Sequence, residues 1–336
     1  MDQCETEERR GQQSPRPLAQ CRLGFAVKVL GNGGLPDHDA RRWRSGPHLR
    51  VSLGYLDRVF DYLGDTGIRM YRISSDIAPY VTHPEMPQFH NQIAACREEL
   101  AVLGAKARTL YLRLSMHPSQ YIVLNSPDER IAQAAVADFA YHADFLDALG
   151  AGPEAKIVTH VGGVYGDRAA AMARWVARYQ ALPEAVRRRL VLENDEISYP
   201  VADTIAIHGE CGVPLVFDIL HHRVNDPAGL PPKEACRRCL ATWPPGETPK
   251  IHYSTQRAAD REITRRDRAT NERRVTTQAA KAGQHDDFID PADFLAFLAA
   301  TPDLRYDAML EAKQKDLALL RLRAAIAAAG WQDRIW

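Results

Sequence analysis

Cysteine is scarce in this chain. Six thiols in 336 residues (Cys4, Cys21, Cys96, Cys211, Cys236 and Cys239) are scattered without repeated spacing, which argues against a disulfide framework and suits a reducing compartment. Only Cys236-Arg-Arg-Cys239 has metal-like spacing, and one such pair without a second Cys/His pair nearby reads as two thiols on a helix face. Long apolar runs are also missing. No stretch of about 18 uncharged apolar residues occurs, so nothing in the sequence reads as a spanning helix. The opening MDQCETEERRGQQSPRP lacks the apolar centre of a secretion signal, and the expected location is the cytoplasm. Net charge is zero, with 43 Lys and Arg against 43 Asp and Glu. The glycine-rich GNGG (31–34) has neither the lysine of a phosphate loop nor a dinucleotide fingerprint, so it reads as a turn and no nucleotide cofactor is expected.

What the chain does have is a recurrent alternation. Short apolar runs, RLGFAVKVL (22–30), RMYRIS (69–74), TLYLRLSMHP (109–118), KIVTHVGG (156–163), RLVLENDE (189–196), PLVFDILHH (214–222), KIHYS (250–254) and YDAMLEAK (306–313), are separated by segments with helical periodicity such as 49–63, 91–104, 128–149 and 314–329. Eight strand-like runs alternating with helices predict an α/β protein, a closed (β/α)₈ TIM barrel in one domain over 22–336, behind a disordered polar tail at 1–21. One connection is abnormal. Some thirty-five polar residues follow the seventh strand, too many for a structureless loop in a compact domain. Between Arg257 and Lys281 this insertion (257–285) holds eight basic and four acidic residues. With RRWR (41–44), it bears on phosphate binding only if it lies on the rim that carries the chemistry.

Seven potential metal ligands stand at or just beyond the ends of these runs: His117, His160, Glu193, Asp218, His221, His252 and Glu311. Barrel enzymes place their chemistry at strand C-termini. Carboxylates mixed with imidazoles, without thiolates, suit catalytic Mn²⁺, Zn²⁺ or Fe²⁺ better than Ca²⁺ or structural Zn²⁺. Three buried carboxylates would repel one another without cations. Two or three divalent ions held close together suit hydrolysis of a phosphodiester.

Read together, the motifs MYRISSDIAPYVTHPEMPQFH (70–90), RLSMHPSQYIVLNSP (113–127), HVGGVYGD (160–167), LVLENDE (190–196), LVFDILHHR (215–223), PKIHYSTQ (249–256), GQHDDFI (283–289) and MLEAKQKDLAL (309–319) resemble the UV damage endonucleases, which nick DNA 5′ to a photolesion. The resemblance covers roughly Arg22 to Arg321. It implies a barrel related to endonuclease IV, two or three divalent ions, usually manganese with magnesium, zinc or cobalt as alternatives, and damaged double-stranded DNA as partner. The enzyme would act as a monomer associated with the nucleoid. Carried over motif by motif, the implied ligands are the seven above plus His285, which spacing alone does not select. His83 would contact phosphate or protonate the leaving group. Lys250 matches a lysine that can be carboxylated, and Gln120 with Tyr121 would fill the gap left by extruded bases. Glu193 and Glu311 would hold the central ions. The first strand departs from the family pattern: Phe25 and Val29 stand where many members carry tyrosine and asparagine. Phe25 is expected to stack on the lesion, and Lys28 to contact phosphate. Two other readings of the same ligand chemistry are a nuclease for abasic sites or other lesions, and a barrel isomerase of small sugars.

Overall fold

In this computed structural model, residues 21–266 and 270–336 are described. Its strands are β1 (Leu23–Ala26), β2 (Met70–Arg72), β3 (Arg113–Met116), β4 (Lys156–Thr159), β5 (Leu190–Glu193), β6 (Leu215–Asp218), β7 (Lys250–Tyr253), β8 (Arg261–Arg266), β9 (Arg273–Gln278) and β10 (Asp307–Leu310). All but β8 and β9 close into a parallel barrel in the order β1-β10-β7-β6-β5-β4-β3-β2, with helices between successive strands. The expected (β/α)₈ barrel is therefore the observed one.

Period-two alternation explains how the barrel is filled. Phe25, Tyr71, Leu114, Leu192, Phe217, Tyr253 and Leu310 join the main core beneath the helices. Their neighbours along each strand consequently face the lumen. The lumen is layered. At its floor Arg113 pairs with Asp307 at 2.7 Å and Lys156 with Glu247 at 2.8 Å, while the Trp243 ring lies 5.8 and 5.7 Å from Arg113 and Lys156. Val158, Val191 and Val216 pack together above Trp243. The top layer holds most of the candidate ligands.

The helix Leu49–Thr66 shows why these segments fold as they do. Leu49, Leu53, Leu56, Phe60 and Leu63 recur on one buried face, the His48 side chain accepts from the Arg50 backbone N–H, and Gly67 (φ 68°) ends the helix. Some boundaries differ from the sequence reading. The segment 91–104 is a short turn of helix, Gln92–Ala95, followed by Arg97–Thr109, so the helix runs into the residues read as the start of β3. Tyr111, left-handed at φ 53°, turns the chain before the strand begins. Residues 1–20 of the expected tail lie outside the described residues, whereas Cys21 is buried and bridges to Ile335. Cys236 and Cys239 are free thiols buried on the helix Pro232–Leu240.

The long insertion is a two-stranded antiparallel ribbon, β8 against β9. Its stem returns at the barrel rim, where Gln256 bridges to His285 and the Arg257 N–H donates to Gln284 O at 2.7 Å. The Gln256 amide locks that stem, donating to the carbonyls of Arg257 and Lys281 and accepting from the Gly283 N–H.

Candidate metal centre

Alternation aims the ends of β5, β6 and β7, and the residue after β10, into one cup. Glu193, Asp218 and His252 are fully buried there, and Glu311 follows from the register that pairs Met309 with His252. His252 Nδ1 lies 2.6 Å from Glu193 Oε1 and 3.5 Å from Glu311 Oε1. His117 and His160 bring Nε2 atoms to 3.1 and 3.6 Å from Glu193 Oε2, and His221 Nδ1 is 3.7 Å from Glu193 Oε1. His285 reaches Glu311 Oε2 at 3.7 Å. The cup thus gathers all seven ligands read from spacing together with His285. Three overlapping groups, His117/His160/Glu193, Glu193/Asp218/His221 and Asp218/His252/Glu311, each have ligand atoms within 4.8 Å of one another and could hold ions.

The local sequence builds this geometry. In the run Glu193-Asn194-Asp195-Glu196, the Asn194 side chain clamps Asp218, donating to its carbonyl at 3.0 Å and accepting its N–H at 2.9 Å. Asp195 accepts from the N–H groups of Ile197, Ser198 and Tyr199, fixing the loop beyond β5. Asp218 caps the helix Ile219–Val224 by accepting from the His221 N–H at 2.7 Å, which turns His221 back into the cup. His117 Nδ1 meets the Pro118 carbonyl at 3.0 Å, leaving Nε2 for a ligand. Gly162, at φ 111°, sits where a Cβ would meet Asn125 Oδ1 at 2.4 Å, so the turn after β4 needs glycine.

Electrostatics fit a cation site. Burial works to raise the Glu193 carboxyl, but His252 and His160 hold it well below the usual range. Glu311 behaves alike: burial raises it, and Arg72 and His252 more than compensate. Burial pushes Asp218 up to about 7, with Glu193 and Glu311 adding to the rise, and its Oδ2 has no partner. His221 loses by burial but is raised to about 10 by Asp218, Glu193 and their neighbours. Burial takes His252 down to about 3, so its imidazole is neutral. An orphaned buried carboxylate oxygen beside converging N and O donors is what a divalent ion would satisfy. Ligation needs the His221 proton to leave. Affinity for Mn²⁺ is therefore expected to rise about tenfold per pH unit between about 7 and 9. Calorimetric titration of the metal-free protein checks this, and a flat profile would contradict it.

Other site residues fall in different places. Lys250 enters the lumen below the ligands with Nζ buried and unpartnered; burial, then Arg72 and Arg113, hold its amine well below the usual lysine range. His83 lies on the loop after β2, where its Nδ1 accepts from the Glu85 N–H and its ring meets Tyr80 edge-on. Gln120 and Tyr121 edge a cavity of about 540 Å³ that also reaches His160, His221, His285 and Glu311. Tyr121 is 77% exposed. A larger cavity, about 660 Å³ beside His90, Arg97 and Tyr141, touches no ligand.

Phe25 requires correction. It is fully buried and packs edge-on against Tyr71 at 5.4 Å, because alternation along β1 turns it outward under the helices. It cannot stack on an extruded base. Val29 is likewise buried and bridges Leu35. Lys28 is exposed, just past the point where Val27 (φ 69°) ends the strand. Arg41 of RRWR is bound to Asp39 at 2.6 Å.

Several contributors escaped the sequence reading. Arg72 pairs with Glu311 at 2.6 Å and donates to His252 Nε2 at 2.8 Å; its signal was a cation alternating with Met70 in an otherwise apolar strand. Ile197, 79% exposed, and Lys313 line the same cavity as Tyr121.

A (β/α)₈ barrel whose strand ends converge imidazoles and carboxylates into a cup able to hold divalent ions is the class that fold and site define. The UV-endonuclease UvdE family model matches residues 51–332, and the chain belongs to that family. The UV DNA damage endonuclease of Bacillus velezensis is 33% identical over 268 residues, covering 79% of this chain and 77% of its own. That of Bacillus mycoides is 33% identical over 274 residues, covering 81% and 79%. The crystal structure of SacUVDE superposes with a TM-score of 0.78 at 28% identity, over 92% of this chain and 99% of that one. An L-ribulose 3-epimerase, with a TM-score of 0.52 at 15% identity over 91% and 86% of the two chains, shares the fold. Among the described residues no helix is long and apolar enough to cross a membrane.

Proposed function

We propose that this protein is a metal-dependent endonuclease that nicks duplex DNA immediately 5′ to UV photoproducts, cyclobutane pyrimidine dimers and 6-4 photoproducts, leaving a 3′-hydroxyl and a 5′-phosphate. The observation that carries the proposal is the juxtaposition, in one cavity, of the carboxylate–imidazole cup with the outward-facing Gln120–Tyr121 pair. Family membership supports it.

Bound divalent ions, with manganese the favoured identity, would neutralise the carboxylates and supply the charge stabilisation and water activation that phosphodiester hydrolysis needs. Glu193 and Glu311 would hold them centrally, with Asp218 and the five imidazoles completing their surroundings. In the net reaction, water oxygen bonds to phosphorus, the P–O3′ bond breaks, and O3′ takes a proton. His83 is suited to give that proton or to bind phosphate: because its Nδ1 accepts from Glu85, its neutral form carries the hydrogen on Nε2. Lys250, whose buried Nζ has no partner and whose amine is held well below the usual lysine range by burial and then by Arg72 and Arg113, is fit for carboxylation, since a new negative charge there would be favoured by both guanidinium groups.

A lesion inside a duplex cannot reach a concave cup without bending the DNA and leaving the stack. Tyr121 offers a ring to stack against orphaned bases and Gln120 an amide to bond them. Photolesions already weaken stacking, so their extrusion costs less than that of normal bases. Incision of matched duplexes bearing a cyclobutane dimer, a 6-4 photoproduct or an abasic site tests this reading. Cleavage 5′ to the two photoproducts is expected. Cutting confined to the abasic duplex would overturn the photoproduct assignment, and no cutting in any divalent metal would overturn the nuclease.

A further inference from the structure

The ribbon of β8 and β9 has a charge arrangement that the barrel does not explain. Residues directly opposite on an antiparallel pair share a face, and the register places Arg266 against Arg273 near the ribbon tip. Like charges directly opposed across a ladder are destabilising, and a two-stranded ribbon is marginal alone. Among the described residues no carboxylate pairs with Arg266, Arg273 or Arg274, although other surface arginines, such as Arg223 and Arg237, are paired. The same face carries the exposed Thr264, Val275 and Thr277, with Glu262, at the base, its one acid among the described residues. No apolar cluster on the ribbon invites a protein partner; Val275 is its single large exposed apolar side chain.

Its placement is equally specific. The ribbon's return limb ends at His285, beside Glu311 in the cup, and the stem is locked by the Gln256 amide and by an ion pair between Arg261 and Asp287. Six residues at about 3.3 Å each make an arm about 20 Å long, the length of about six base-pair steps at about 3.4 Å. Arginines and threonine hydroxyls are the usual partners of backbone phosphates.

We infer that this ribbon is a duplex-binding arm, which grips phosphates several base pairs from the cut through Arg266 and Arg273 on one face and Arg274 on the other. The inference rests on the reading of the cup as a DNA site. A polyanion would relieve the Arg266–Arg273 repulsion and anchor an otherwise unsupported hairpin. The arm reads no sequence; it extends the footprint to one side of the lesion and makes binding more salt-dependent.

The test is the triple variant R266A/R273A/R274A, with R273E as a single-site companion. Fluorescence anisotropy with a 30-base-pair duplex bearing one photoproduct, across a range of salt, should show the log–log salt slope reduced by about 2 to 3 units, near 0.9 for each phosphate no longer neutralised. Affinity at low salt should fall about tenfold to a hundredfold. Single-turnover cutting at saturating enzyme should be unchanged. Trimming the duplex to four base pairs on one side of the lesion should weaken wild-type binding on one side only, and the triple variant should be indifferent to that trim. An unchanged salt slope overturns the inference. So does a slowed single turnover at unchanged slope, which would make the ribbon a support for His285. A wild-type protein that cuts no damaged duplex, but whose DNA binding still shows a shallower slope in the variant, defeats the proposed function and leaves the arm standing.

Discussion

Replacing Glu193 with alanine is expected to lower nicking of UV-irradiated plasmid at least about a thousandfold while leaving most of the DNA affinity. Glu193 is the hub of the cup: four imidazoles, those of His117, His160, His221 and His252, approach its two oxygens within 3.7 Å. It also belongs to two of the three groups able to hold an ion. Removing it leaves two sets of donors without their shared carboxylate. Metal assistance to phosphoryl chemistry is worth several kcal/mol, and each 1.36 kcal/mol is tenfold in rate. On the proposed function, affinity for duplex would come mainly from phosphate contacts outside the cup and should survive. Metal content by mass spectrometry, circular dichroism and the isosteric Glu193→Gln separate loss of ions from loss of fold. A Glu193→Ala protein that cuts at the wild-type rate would remove Glu193 from the mechanism.

Tyr121→Ala should act on a different quantity. The ring is exposed and bears none of the metal donors, so metal content and thermal stability should stay as in wild type. What should fall is preference for damaged over intact duplex. Base–aromatic stacking is worth about 1–3 kcal/mol per base, so the ratio of affinities should shrink by about 5- to 150-fold. Competition binding with lesion and lesion-free duplexes of equal length measures it. A variant that loses bound divalent metal but keeps its discrimination would place Tyr121 in the metal centre instead.

The barrel and most of its cup were legible because one rule governs both. Glu193 and Asp218 end their strands, His160 and Glu311 lie one step beyond, and the two-residue period that buries Leu192 or Leu310 outward turns these polar groups inward. The same rule, applied to Phe25, would have shown it facing the helices; the resemblance of a motif prevailed over the alternation of the strand. His285 was invisible to spacing because it sits on no barrel strand and arrives only when the ribbon folds back to Gln256. The ribbon went unread because its β-branched residues, Ile263, Thr264, Val275 and Thr276, are diluted by arginines. Arg72 was overlooked for the opposite reason, as a cation whose carboxylate partner lies far away in sequence.

The floor of the lumen, closed by Arg113, Asp307, Lys156, Glu247 and Trp243, makes the barrel a well with a single mouth. Whatever enters must withdraw along the route by which it arrived. On the proposed function, a nicked duplex would still present nearly every phosphate that held the intact one, so departure, rather than bond scission, is expected to be the slow event. The enzyme would then linger on the break it has made, shielding the open strand until the next repair activity displaces it.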